Sequence, residues 1–203
     1  MKIICIAKNY STHIKELSSS VPEQPVFFMK PDSSILLNNK PFYLPDFSNE
    51  IHHELEIVIR INRLGKNIEK KYASRYFNEV TVGIDFTARD LQRKCKAEGN
   101  PWEIAKAFDG SAVQGKFINL NKIQDPDSIH FNLHINGKLV QDGNTADMLF
   151  NIDRIIEYVS QFVTLKMGDL IFTGTPAGVG PVRINDRLEA YLEGNKLLDF
   201  KVK

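Results

Sequence analysis

Residues 52–61 read His-His-Glu-Leu-Glu-Ile-Val-Ile-Arg-Ile. In an extended strand, side chains two positions apart share a face. A strand over 54–62 therefore projects Glu54 and Glu56 together, while His53, Leu55, Ile57, Ile59 and Ile61 point the other way into a core. Two adjacent carboxylates repel unless something positive lies between them, and a hard divalent cation such as Mg²⁺ suits such a pair. The same spacing also fits a solvated edge strand with two surface glutamates.

A Mg²⁺ site needs more than two glutamates, and Asp85 is the best third ligand. It ends the apolar run Val80-Thr81-Val82-Gly83-Ile84, just before a helix that Thr87 can cap. Asp85 could instead serve the dipole of that helix. Lys106 lies between small and apolar neighbours in Ile104-Ala105-Lys106-Ala107-Phe108. Partial desolvation there would ready it to neutralise a substrate oxyanion, although a plain surface role competes. His13 and Glu16 are three apart on a short helix predicted over 10–17. A carboxylate that orients an imidazole makes a general base, and the Ser18-Ser19-Ser20-Val21-Pro22 loop behind it would let the helix act as a lid. An exposed polar helix face is the alternative. Phe172-Thr173-Gly174-Thr175-Pro176-Ala177-Gly178-Val179-Gly180 is a glycine-rich turn whose N–H groups and threonine hydroxyls could bind a carboxylate, or could simply be a tight turn. Its glycine spacing fits neither a P-loop nor a dinucleotide fingerprint.

The chain has 203 residues, enough for one domain, and a net charge of +1 from 26 basic and 25 acidic side chains. Nothing in that balance attracts nucleic acid or a membrane surface. The N-terminal apolar run is too short for a signal peptide, and no stretch reaches the roughly 18 apolar residues of a membrane helix. Cys5 and Cys95 form no CxxC pair, which points to free thiols in a reducing, cytoplasmic setting. No zinc-type His or Cys spacing is present, because the position for a second His after His53 holds Ile57.

Further strands are predicted at 2–7, 27–30, 79–84, 129–135, 138–141, 169–173 and 187–192, with Asn136-Gly137 as a hairpin turn. Helices are predicted from Thr87 to about Glu98, stopped by Gly99, and over 152–164. The pattern is strand-rich with few helices and lacks regular βαβ alternation.

His-His-Glu-Leu-Glu at 52–56, Asp85-Phe86-Thr87-Ala88-Arg89-Asp90, Pro101-Trp102 with Ala105-Lys106, and Thr173-Gly174-Thr175-Pro176 with Gly178-Val179-Gly180 occur in that order. Together they resemble the fumarylacetoacetate hydrolase superfamily, most of all its short single-domain acylpyruvases and oxaloacetate decarboxylases. The resemblance runs from about Cys5 to the C-terminus. It implies a mostly β (α+β) fold, a β-roll or barrel with short peripheral helices, as one catalytic domain over 1–203. It implies Mg²⁺ or Mn²⁺ on Glu54, Glu56 and Asp85, and substrate contacts from Lys106 and Thr175 with Arg89 and Gln92 near the pocket. It also implies a lid in which His13 and Glu16 activate water, and a homodimer. Lys8 stands where many relatives carry Arg, which keeps the charge but loses bidentate recognition. The segment Phe108 to Gly115 departs from the cysteine- and proline-bearing continuation usual after the lysine, and this alters the pocket wall.

The activity expected is metal-dependent hydrolysis of a carbon–carbon bond in an acylpyruvate (a 2,4-diketo acid), with oxaloacetate decarboxylation possible at the same site. An isomerase or hydratase of a 2-hydroxy-dienoic diacid, or a non-catalytic keto-acid binding protein, are the alternatives.

Overall fold

β-Branched alternation and tight turns lay out three sheets. The computed structural model describes residues 1–16, 20–37 and 39–203, and for residues 13, 15 and 16 the backbone alone. The strands are β1 (Ile3–Ala7), β2 (Val26–Lys30), β3 (Ile35–Leu36), β4 (Ile51–His53), β5 (Leu55–Ile61), β6 (Phe77–Asp85), β7 (Thr87–Ala88), β8 (Ala112–Gln114), β9 (Ile118–Asn119), β10 (His130–Ile135), β11 (Lys138–Asn144), β12 (Leu170–Phe172), β13 (Gly180–Pro181), β14 (Arg187–Leu192) and β15 (Asn195–Lys201). The helices are α1 (Ser11–Glu16), α2 (Arg89–Glu98), α3 (Glu103–Lys106) and α4 (Ile152–Phe162). The fold is mostly β, with a curled half-barrel sheet and few short helices.

The large sheet runs β2-β1-β12-β5-β6-β8-β3, with β9 also on β6. A second sheet, β11-β10-β14-β15, packs against it, and the small sheet β13-β4-β7 lies beside the end of β5. Between the two larger sheets, Ile57, Ile59, Ile61, Val80 and Val82 meet Phe131, Leu133, Leu188 and Leu198 in the main core. Burying these aliphatic side chains is the principal stabilisation of the fold.

The other face of β5 changes character along its length. Glu56 enters a polar cluster, Val58 joins a smaller core with Ile3, Cys5 and Phe172, and Arg60 pairs with Glu79 at the surface. Period-two alternation thus separates core from site as the sequence predicts. The predicted strand 54–62 is interrupted, however. The chain leaves the small sheet after His53 and enters the large one at Leu55, so Glu54 sits at the crossing between sheets.

Thr87 does not cap α2. It pairs with His52 in the small sheet, and the helix starts after Ala88 without a side-chain cap. Asp90 instead accepts hydrogen bonds from Ser48 Oγ (2.6 Å) and Asn49 N (3.0 Å), tying that loop to the helix. The predicted hairpin is present, with Asn136 at φ 53° and Gly137 at φ 79°. A second turn of the same kind, at Glu193-Gly194, joins β14 to β15 and was not read from the sequence. Residues 17–19 of the predicted helix end and serine loop lie outside the described residues.

Gly83 faces Glu56 across the β5–β6 ladder. A Cβ there would lie 2.6 Å from Phe172 Cε1, 2.7 Å from Val58 Cγ2 and 2.8 Å from the Val113 carbonyl. Gly83→Ala is expected to lower stability by about 1–3 kcal/mol, the usual cost of overpacking a filled core. Urea unfolding checks this as a lower midpoint with an unchanged slope.

Candidate active site

Glu54, Glu56 and Asp85 converge where β5 and β6 meet the small sheet. One oxygen from each lies within 4.8 Å of the others, and all three residues are buried. Sheet register brings them together. Leu55 pairs with Ile84 and Glu56 with Gly83, while Asp85 N–H donates to the Glu54 carbonyl at 2.8 Å.

Among the described residues, three buried cations balance them. Lys106 Nζ, from the last residue of α3, donates to Glu54 Oε2 (2.8 Å) and Asp85 Oδ2 (2.9 Å). Arg89, at the start of α2, donates to Glu54 Oε1 at 2.5 Å and to Gln92 Oε1 at 2.7 Å. Lys30, at the end of β2, brings its ammonium 2.5 Å from Asp85 Oδ1 and donates to the Ser111 carbonyl at 2.8 Å. Burial pulls the Lys106 ammonium down, but Asp85 and Glu54 outweigh it and hold the group above the ordinary lysine range.

Glu56 is treated differently. Its carboxylate accepts the Gly174 N–H at 2.6 Å and has no ion-pair partner among the described residues. Burial, then the charges of Asp85 and Glu54, push it well above the ordinary carboxylate range; Gly174 and Lys106 oppose the shift only in part. A buried carboxylate without its own cation, beside two others, is a costly arrangement unless a further cation joins it. All-oxygen donors at this spacing fit a hard divalent ion, so Glu54, Glu56 and Asp85 are the residues that would hold one.

A cavity of about 470 Å³ opens over the cluster. It is walled by Ile6, Phe28, Trp102 and Val179, and Lys8, Arg89, Gln92, Lys96 and Thr175 also line it. Thr175 arrives on the turn after β12. Thr173 Oγ donates to the Ile57 carbonyl at 2.9 Å, and Gly174 takes φ 101°. A side chain on Gly174 would meet Asn9 Cβ at 2.7 Å, so glycine is required where the turn passes so close to the end of β1. Lys8 has φ 57°, an unusual backbone state for a lysine. Lys96 is an exposed residue at the cavity rim, with its ammonium 5.3 Å from the centre of the Trp102 ring. Burial, then Arg89 and Lys8, lower its pKa.

The structure therefore gathers Glu54, Glu56, Asp85, Lys106, Lys8, Arg89, Gln92 and Thr175 around one cavity. The helix carrying His13 and Glu16 follows Tyr10, but both side chains lie outside the described residues. His53 is buried, as expected for a structural role, with Nδ1 2.9 Å from Gln141 Oε1. Sequence reasoning missed Lys30, Lys96 and Gln141. Only Lys30 left a trace, as a lysine closing the apolar run Val26-Phe27-Phe28-Met29 directly before Pro31.

The family model described as fumarylacetoacetate (FAA) hydrolase C-terminal matches residues 2–203. The chain is 41% identical to mouse (Mus musculus) mitochondrial oxaloacetate tautomerase FAHD1 over 201 residues, covering 99% of this chain and 91% of that protein. Among solved structures it is similar to fumarylpyruvate hydrolase from Pseudomonas aeruginosa in complex with Mn²⁺ and pyruvate, with a TM-score of 0.94, 31% identity, and coverage of 100% of this chain and 89% of that one. It is also similar to 5-carboxymethyl-2-hydroxymuconate delta-isomerase from Mycobacterium smegmatis, with a TM-score of 0.87, 36% identity, and coverage of 99% and 78%.

Burial and the neighbouring carboxylates raise the Glu56 pKa, so protons would compete with a metal for this ligand more strongly than at an ordinary carboxylate. Mn²⁺ affinity is expected to fall as pH drops, beginning above the ordinary carboxylate range. Titration calorimetry in buffers of different ionisation heat should register proton release on binding. Glu56→Gln should remove that release and weaken Mn²⁺ by at least about tenfold.

Proposed function

The chain belongs to the fumarylacetoacetate hydrolase family, and from that premise we propose that it is a divalent-metal-dependent enzyme that cleaves the carbon–carbon bond of an acylpyruvate by stabilising a pyruvate enolate. The observation that carries this reading is the buried cluster of Glu54, Glu56 and Asp85 against Lys30, Lys106 and Arg89. Among the described residues, three carboxylates and three cations give the cluster no net charge when all are ionised. A divalent ion, Mg²⁺ or Mn²⁺, would add two positive charges and polarise the keto-acid oxygens as a Lewis acid. A pyruvate enolate, with its carboxylate and its oxyanion, carries two negative charges. The site is then complementary to the charge that develops during reaction rather than to the neutral diketone portion of the substrate.

The side chains have separate tasks in this scheme. Lys106 keeps its proton and faces the place where the oxyanion forms. Thr175 and Arg89 receive the substrate carboxylate. His13, oriented by Glu16, takes a proton from water as that water attacks the distal carbonyl. The carbon–carbon bond breaks with its electron pair left on pyruvate C3, the acyl group leaves as a carboxylic acid, and C3 is then protonated. A homodimer is part of the same proposal. No helix among the described residues is long and apolar enough to cross a membrane.

A second reading draws on the relative named oxaloacetate tautomerase. Decarboxylation of oxaloacetate passes through the same pyruvate enolate, and its keto–enol interconversion through the enolate of oxaloacetate itself; neither needs an attacking water. Both readings favour a substrate with a second anionic group. Lys8 and Lys96 line the cavity, and neither is in an ion pair among the described residues.

A panel of acetylpyruvate, fumarylpyruvate and oxaloacetate, followed by pyruvate release and enol absorbance with and without chelator, tests the proposal. Turnover should require the metal, and chelator-insensitive turnover would contradict it. His13→Ala should abolish hydrolysis of the two acylpyruvates while sparing reactions of oxaloacetate. Lys96→Met should raise KM for fumarylpyruvate and oxaloacetate about tenfold and leave acetylpyruvate nearly unchanged.

A further inference from the structure

Gln141 belongs to the second sheet, on β11, yet its buried side chain reaches the edge of the site. Its Oε1 accepts the Leu55 N–H at 2.9 Å and lies 2.9 Å from His53 Nδ1. Its Nε2 donates to Thr175 Oγ at 2.9 Å and to the Pro176 carbonyl at 3.1 Å. Every hydrogen-bonding position of the amide is thereby filled.

The partners fix the direction of each bond. A backbone N–H can only donate and a carbonyl can only accept, so Leu55 and Pro176 together determine which end of the amide is which. Oε1 then requires the proton of His53 to sit on Nδ1. Nε2 requires Thr175 Oγ to accept. The remaining contact of the threonine hydroxyl, to the Pro176 carbonyl, is long at 3.5 Å. Its own proton is left for the cavity that Thr175 lines.

The turn is built to lie this close to β11. Gly178 has φ 93°, and a Cβ there would be 2.3 Å from the Val140 carbonyl. A Cβ on Gly143 would be 2.8 Å from the Pro176 ring. Either side chain would push the turn away from Gln141.

We infer that Gln141 is a positioning residue: it turns the Thr175 hydroxyl into a donor toward an anionic oxygen of the substrate, and it ties the Thr175 turn to Leu55, between the carboxylates Glu54 and Glu56. The inference rests on the proposed reading of the cavity as a keto-acid site. Gln141 itself touches no substrate. It acts by using up an acceptor position on Thr175, so that an oxyanion is favoured over a group that must itself donate.

Oxalate, a dianion shaped like the pyruvate enolate, is the probe, titrated calorimetrically into the Mn²⁺-loaded full chain. Gln141→Met and Thr175→Val should each weaken oxalate about tenfold, while Mn²⁺ affinity stays within about twofold. The double variant should bind no more weakly than Thr175→Val alone, because Gln141 works through that hydroxyl. Gln141→Glu keeps an acceptor for Leu55 and cannot donate twice; it should lose oxalate affinity as Gln141→Met does, which keeps the test decisive if the methionine variant folds poorly. Single losses that multiply in the double variant, or full oxalate affinity in Gln141→Glu, would overturn the inference. Wild-type protein that binds Mn²⁺ but no oxalate would instead overturn the keto-acid reading beneath it.

Discussion

The organising constraint is the pairing of buried charge around Glu54, Glu56 and Asp85. Removing carboxylates from water is expensive, and their mutual repulsion adds to the cost. The fold meets it with Lys106, Arg89 and Lys30, drawn from two helices and a strand of the surrounding structure. Each cation is anchored elsewhere: Lys30 to the Ser111 carbonyl, Arg89 to Gln92, and the backbone carbonyl of Lys106 to Ser111 Oγ. Glu56 alone lacks such a partner among the described residues. Under the proposed function, Glu56 is the carboxylate left to meet an added cation.

Rigid strands make this arrangement reproducible. Glu56 and Asp85 lie on the neighbouring strands β5 and β6, whose opposite faces fill the main core, so their separation follows from register rather than from loop conformation. Glu54 sits where the chain changes sheets, and Lys106 and Thr175 enter from a short helix and a glycine turn. Positioning groups on packed elements around a cavity that is partly apolar is how electrostatic stabilisation becomes larger than it would be in water. The family likeness then constrains the chemistry. Relatives named as a hydrolase, a tautomerase and an isomerase share this scaffold.

Much of this was legible in the chain, for local reasons. The alternation from Leu55 to Ile61 showed which side of the strand was core, and the apolar run ending at Asp85 put a carboxylate at a strand terminus. Asn136-Gly137 fixed its hairpin because that turn demands positive φ at both positions. What failed was either non-local or overruled. Gln141 meets Leu55 across 86 positions, and Lys30 meets Ser111 across 81, so no spacing rule reaches them. Thr87 has the chemistry of a cap, but strand pairing with His52 holds it in the small sheet. The break at Glu54 depends on which sheet each half of the run joins, which alternation alone does not encode.

The central claim is that the charged cluster, once it holds a divalent ion, stabilises a pyruvate enolate. The most direct measurement is proton nuclear magnetic resonance of pyruvate with the protein in D₂O, following loss of the methyl signal as C3 exchanges hydrogen for deuterium. The account predicts exchange above the protein-free rate with Mg²⁺ present and none above it after chelation. A methyl signal that is equally stable with saturating Mg²⁺, or that decays as fast with chelator as without, would contradict it.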